Sequence, residues 1–124
     1  MANDERRRLG KAKMSQIARM PELEPGDAFT RATTDVVFGE LWQRTGLPDR
    51  ERRMVTIAIL ATNGMEMELG VHIRAALDSG DVTPAELMEI VLQVAHYAGF
   101  PLGSAIYRAF AKVCGELGLE LPSE

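Results

Sequence analysis

The chain has 124 residues, 46% hydrophobic and 26% charged, which is typical of one globular domain with a single core. Its apolar runs are shorter than the about 18 residues of a membrane span, and its charged residues 1–10 predict that it has no signal peptide. The net charge of −4 argues against a general nucleic-acid binder, and the single cysteine, Cys114, excludes an intrachain disulfide, a Cys-x-x-Cys pair and a multi-cysteine zinc site.

The charge is distributed unevenly along the chain. Residues 1–19 hold six basic and two acidic side chains, a local balance of +4, so the remaining 105 residues sum to −8. This segment is short and lacks interleaved aromatic residues, which argues against nucleic-acid binding. We expect residues 1–26 to form a basic arm or short helix that docks onto an acidic neighbour, such as another subunit. The helical domain would then comprise residues 27–124.

From residue 27 the pattern predicts one helix after another. The first helix spans Phe29 to Arg44, with Gly46 as its left-handed C-terminal residue. The second begins near Asp49, and its apolar residues predict a helix central in the bundle. One stripe of this helix holds Met54, Ala58 and Ala61, and an adjacent stripe holds Val55 and Ile59.

The later helices have clearer boundaries. A helix from Met65 to Ser79 closes at Gly80, and its core stripe consists of Leu69, Ile73 and Leu77. Thr83, Pro84 and Glu86 form the signature of a capping box that opens the next helix. A break at residues 99–101 precedes the last helix. With few aromatic residues, seven methionines and no strand-like alternation, the sequence predicts an all-α, cytoplasmic domain of five to seven helices.

One pair of residues could carry chemistry, although the phosphate-loop, dinucleotide, zinc-protease and serine-hydrolase motifs are all absent. Glu68 and His72 have i, i+4 spacing, so the carboxylate can hydrogen-bond the imidazole, fix its tautomer and favour its charged form. The competing interpretation is an exposed polar pair, of which surface helices carry many. Two histidines without clustered ligands argue against a metal site.

Other candidates also have two interpretations. His96 could line a pocket, or it could bond backbone carbonyls in the last turn of its helix. Arg53 belongs to a basic cluster near a helix N-terminus, which indicates an acidic partner or a solvated face. The aromatic residues Phe38 and Trp42 could form pocket wall or core, and Cys114 is expected to be a buried, inert thiol.

The residues in chain order resemble a known family. The stretch Val37–Leu47 (VFGELWQRTGL) is similar to the F/W-G-x-x-W-x-R-x-G-L segment of carboxymuconolactone decarboxylases. The resemblance continues through residues 51–58, 68–72, 80, 83–86 and 97–101, and covers roughly residues 29–118. Alkylhydroperoxidase-like relatives use C-x-x-C-x-x-x-H, but here Met65 and Glu68 stand where those cysteines would fall. Dithiol peroxidase chemistry is therefore excluded.

The resemblance implies an all-helical subunit of a homo-oligomer, commonly a trimer or hexamer, without metal or organic cofactor. The implied reaction converts a carboxylated unsaturated lactone into an enol-lactone and CO2 in aromatic-compound catabolism, the β-ketoadipate pathway. His72 would serve in proton transfer or as oxyanion donor, and Glu68 would orient it. Arg53 or a neighbouring arginine would hold the substrate's other carboxylate. The cavity would be lined by Phe38, Trp42 and His96.

Departures from the family pattern leave a second hypothesis open. Gln93 stands where the branch often has a histidine, and His96 occupies a position that is usually apolar. The alternative is a non-catalytic small-molecule binding or scaffold protein on the same fold. Inward-facing His72 and Glu68 beside an arginine would favour the enzyme, whereas both side chains in bulk water would favour the alternative.

Overall fold

The computed structural model describes residues 3–124, and every regular element in that range is helical. Six α-helices occur in chain order, together with a π-helical turn and a short 3₁₀ turn, which confirms the all-α prediction. In the described range no helix has the length and apolarity to cross a bilayer. The α-helices are α1 (Asn3–Ala18), α2 (Ala28–Ala32), α3 (Asp49–Thr62), α4 (Glu66–Ser79), α5 (Pro84–Ala98) and α6 (Phe100–Leu117).

The chain forms two compact units, the first ending at Asp49 and the second running from Arg50 to Glu124. In the first unit, the basic side chains of α1 find their acidic partners within the unit itself. Arg7 donates two hydrogen bonds, of 2.6 and 2.8 Å, to the carboxylate of Asp35 and thereby lowers the pKa of that carboxyl group. Further ion pairs join Arg6 to Glu40, Lys11 to Glu24 and Lys13 to Asp49. The acidic neighbour expected for the arm is therefore supplied by the chain itself. The division at residue 26 stays a prediction.

The predicted helix from Phe29 to Arg44 is broken into three parts. The short α2 passes into a π-helical turn at Thr33–Phe38, and a 3₁₀ turn at Leu41–Gln43 follows. The π turn packs so closely on α1 that a Cβ on Gly10 would lie 2.0 Å from the carbonyl oxygen of Thr34. The prediction of a left-handed Gly46 was wrong, because the helical run ends earlier, at Arg44, in an extended conformation.

In the second unit, most of the predicted boundaries and core stripes are confirmed. Gly80 adopts the left-handed conformation with φ of 80°, and the capping box between Thr83 and Glu86 forms in both directions. The predicted core stripe of α4, formed by Leu69, Ile73 and Leu77, is buried. The core residues of this unit are Ile57, Ala61, Leu69, Ile73, Ala76, Leu77, Val82, Leu87, Ile90, Val91, Val94, Ile106, Phe110, Val113 and Cys114.

Helix α3 differs from its prediction. Its buried positions are Arg53, Ile57 and Ala61, whereas Val55 and Ile59 are about half exposed. The buried stripe therefore begins at a charged residue, Arg53, and continues at i+4 and i+8. The predicted stripe contained only apolar residues and began one position later, at Met54. In this unit α3 is therefore exposed on one face rather than central as predicted. Its buried face includes the cation of Arg53.

Candidate active site

Arg53 is a buried cation of the second unit. Its side chain is 1% exposed, and its planar guanidinium contacts Asp81 and His72. The Nε–H group points to Oδ2 of Asp81 at 3.3 Å, and Nη1 lies 3.4 Å from Nδ1 of His72. Because a buried charge requires a counter-charge and hydrogen bonds, these contacts explain how an arginine is tolerated on the inward stripe of α3.

His72 lies half-buried on α4, with its Nδ1 atom facing Arg53. Arginine nitrogens only donate hydrogen bonds, so Nδ1 must present its lone pair and the ring proton must be on Nε2. Burial, and then the charge of Arg53, lower the pKa of His72 from 6.5 to about 4. The imidazole is therefore neutral at pH 7, in contrast to the charged form that a carboxylate neighbour would favour.

The expected hydrogen bond between Glu68 and His72 is not formed among the described residues. Glu68 is exposed at the solvent edge of α4, whereas the flanking Leu69 and Ile73 are buried. Residues four apart share a helix face only approximately, and here the inward turn of His72 carries it toward α3 rather than toward Glu68. The arrangement expected for an enzyme is therefore formed only in part. The half-buried His72 lies beside Arg53, but Glu68 does not face inward.

The carboxylate near this site is Asp81, which sequence reasoning missed. It follows Gly80 in the turn between α4 and α5, and its backbone N–H donates to Oγ of Ser79 at 3.2 Å. The next residue, Val82, is completely buried. In the sequence, Asp81 could be noticed only as a carboxylate that directly follows the helix-ending Gly80. The sequence does not show that its partner is Arg53, 28 residues away.

The remaining predicted residues lie in other surroundings. His96 is exposed near the end of α5, where its Nδ1 bonds the carbonyl of Leu92 at 2.7 Å and its ring meets Phe100 edge-on at 5.4 Å. This contact matches the second interpretation of His96, in which the imidazole bonds a backbone carbonyl in the last turn of its helix. Phe38 and Trp42 belong to the first unit, where both are buried and stack with ring centroids 6.1 Å apart.

A groove of about 600 Å³ between α4 and α6 contains none of the predicted site residues. In the described part of the chain, three or more His, Cys, Asp or Glu side chains do not come together as a metal-binding group. Cys114 is buried on α6, and burial raises the pKa of its thiol, so the thiolate needed for redox chemistry is disfavoured there.

Comparison with known proteins identifies relatives. The family model described as the carboxymuconolactone decarboxylase family matches residues 27–112. The chain is 43% identical over 91 residues to 4-carboxymuconolactone decarboxylase of Acinetobacter baylyi, which covers 73% of this chain and 67% of that protein. It is 38% identical over 81 residues to nitrosuccinic acid decarboxylase of Metarhizium robertsii, which covers 65% and 54% respectively. Family and relatives together support carboxy-lyase activity.

Proposed function

Because the chain belongs to the carboxymuconolactone decarboxylase family, we propose that it is a cofactor-free carboxy-lyase. The proposed reaction converts a carboxylated unsaturated lactone to an enol-lactone and CO2. The observation that carries this proposal is the pair of Arg53 and His72, in which a half-buried neutral imidazole keeps its proton on Nε2. In the described part of the chain, no hydrogen bond uses that nitrogen.

The chemistry of the proposed reaction needs such a donor. When the C–C bond to the carboxylate breaks, its electron pair moves through the alkene to the lactone carbonyl oxygen and CO2 leaves. The Nε2–H group of His72 would stabilise the negative charge that develops on this oxygen. A proton from solvent then adds to the carbanionic carbon. A neutral imidazole with a pKa of about 4 is suited to donating a hydrogen bond, and it carries no acidic proton to deliver at pH 7.

The proposed substrate carries a second carboxylate, for which Arg53 was one predicted partner. The guanidinium of Arg53 is buried and contacts Asp81 and His72, which favours the other predicted option, a neighbouring arginine. Arg52 is the candidate, because its buried Nε has no hydrogen-bond partner among the described residues. The lining roles of Phe38, Trp42 and His96, and the orienting role of Glu68, stay predictions.

The second relative defines a wider substrate class. Nitrosuccinic acid, like the lactone, has a carboxylate whose departing electron pair can enter a neighbouring electron-accepting group. A hydrogen-bond donor aimed at an oxygen of that group would serve both compounds. The lactone is the favoured substrate because identity and coverage are greater for the relative named after it.

We also propose that the protein is a homo-oligomer, commonly a trimer or hexamer. Large apolar side chains on α3 and α4 support this, because Val55, Ile59 and Met67 are 48%, 52% and 80% exposed. The cytoplasmic location and the role in aromatic-compound catabolism stay predictions.

The proposal is tested by adding carboxymuconolactone to the purified protein and following ultraviolet absorbance and CO2 release. Turnover that disappears in His72→Ala but persists in Glu89→Gln, an exposed change on α5, is the expected result. Binding of the lactone without any CO2 release would instead support the scaffold alternative. Nitrosuccinic acid in a parallel assay separates the two substrates.

A further inference from the structure

Another cavity lies wholly within the first unit, at the 3₁₀ turn. It has a volume of about 410 Å³, and Trp42 forms part of its wall, whereas His72 and Arg53 do not. We propose that this cavity binds a small organic carboxylate through the indole N–H of Trp42 and the cations of Arg44 and Lys13. The inference goes beyond the proposed decarboxylation and does not depend on it.

Trp42 supplies a hydrogen-bond donor that the chain itself does not use. The residue is 4% exposed and stacks on Phe38, so the indole is fixed in position. Its N–H makes no hydrogen bond among the described residues, yet this atom is not sealed from solvent. Because Trp42 lines the cavity, we infer that the N–H opens into it. An indole nitrogen can only donate, so the ligand atom that it meets must be an acceptor.

Two cations lie on the wall of the same cavity. Lys13 of α1 pairs with Asp49 at 2.8 Å, and its other two ammonium N–H bonds have no acceptor in the described part of the chain. Arg44 directly follows the 3₁₀ turn, is exposed, and forms no ion pair with any described residue. The carboxylate of Asp49 offsets one of these two positive charges, so the wall keeps a net charge of +1.

This set of groups favours a carboxylate that carries an apolar body. The two oxygens of a carboxylate can accept from two donors at once, here the N–H of Trp42 and the guanidinium of Arg44. The apolar body would cover Leu47 and Pro48, which are exposed on the same wall. Burying this apolar surface contributes to binding, and a fully hydrophilic anion such as phosphate lacks that contribution.

The experiment uses Trp42, the single tryptophan of the chain, as its reporter. The ¹⁵N–¹H NMR signal of the indole is followed in the full-length protein during titration with sodium benzoate at constant ionic strength. We expect a saturable downfield shift of the indole proton with a Kd on the order of 1 mM, since the contact area is small. Benzamide, which has the same shape without the charge, should produce little shift, and sodium phosphate should bind more weakly than benzoate.

A pair of variants tests the role of the cation. Arg44→Gln should weaken benzoate binding about tenfold, because a charge-assisted hydrogen bond is lost. Its matched control is Arg31→Gln, which removes another exposed arginine of the same unit and should leave the Kd unchanged.

Three results would overturn the proposal. They are an indole signal that does not move with benzoate, an equal shift with benzamide, and an unchanged Kd in Arg44→Gln. Tighter binding of phosphate than of benzoate would overturn the choice of an organic carboxylate in favour of an inorganic anion. Because the titration needs no turnover, its outcome is independent of whether the lactone is decarboxylated.

Discussion

Acidification should destabilise the protein through His72. Folding lowers the pKa of this imidazole from 6.5 to about 4, first by burial and then by the charge of Arg53. Between those values the unfolded chain binds a proton that the folded chain does not. The corresponding stability is therefore complete above pH 6.5 and is lost as the pH falls toward 4.

The size of the effect follows from the two pKa values. Each pKa unit corresponds to about 1.4 kcal/mol, so lowering the pH from near 7.5 to near 5 should remove about 2 kcal/mol of unfolding free energy through His72 alone. Carboxylates such as Asp35 and Glu86, whose pKa values are also lowered, add their own losses at lower pH. The contribution of His72 is therefore read as a difference between the wild type and His72→Gln.

The assay is urea unfolding of both proteins at several pH values and one protein concentration. The wild type should lose about 2 kcal/mol more than His72→Gln between near pH 7.5 and near pH 5. Parallel stability curves for the two proteins would refute the reasoning, because they would mean that His72 takes up its proton at its ordinary pKa in the folded chain.

Two further predictions concern packing and orientation. Gly103→Ala should lower the unfolding free energy by about 1–3 kcal/mol, because the new Cβ would lie 2.5 Å from Cβ of Ala95. The control is Gly115→Ala on the same helix, whose Cβ meets open space, so this variant should be neutral or stabilising. The midpoints of urea unfolding measure both changes. Glu68→Gln should change the pKa of His72 by less than about half a unit, as measured by NMR, because no hydrogen bond joins the two side chains among the described residues. A change of about one unit or more would restore the orienting role to Glu68.

The parts of the fold that could be predicted from sequence are those fixed by neighbouring residues. The capping box at Thr83 and Glu86 is a local hydrogen-bonding pattern, and Gly80 ends α4 because the left-handed conformation suits glycine. The π-helical turn at Thr33–Phe38 could not be read in the same way. It depends on the close approach of α1 at Gly10, a contact between segments distant in the sequence.

The same distinction applies to the candidate site. The i, i+4 spacing of Glu68 and His72 is visible in the sequence, but it does not determine which of the two turns inward. The observed partner of His72 is Arg53, which lies 19 residues away on α3, so this contact depends on tertiary structure. Asp81 is 28 residues from Arg53, so this pairing likewise depends on tertiary structure.

The central claim is that His72 donates a hydrogen bond from Nε2 in a decarboxylation, and kcat for CO2 release from carboxymuconolactone tests it most directly. His72→Ala should lower kcat by about 100-fold or more, the usual cost of losing an oxyanion donor. His72→Gln, which keeps an N–H donor, should recover part of that loss. Wild-type kcat in both variants, with folding intact by circular dichroism, would contradict the account.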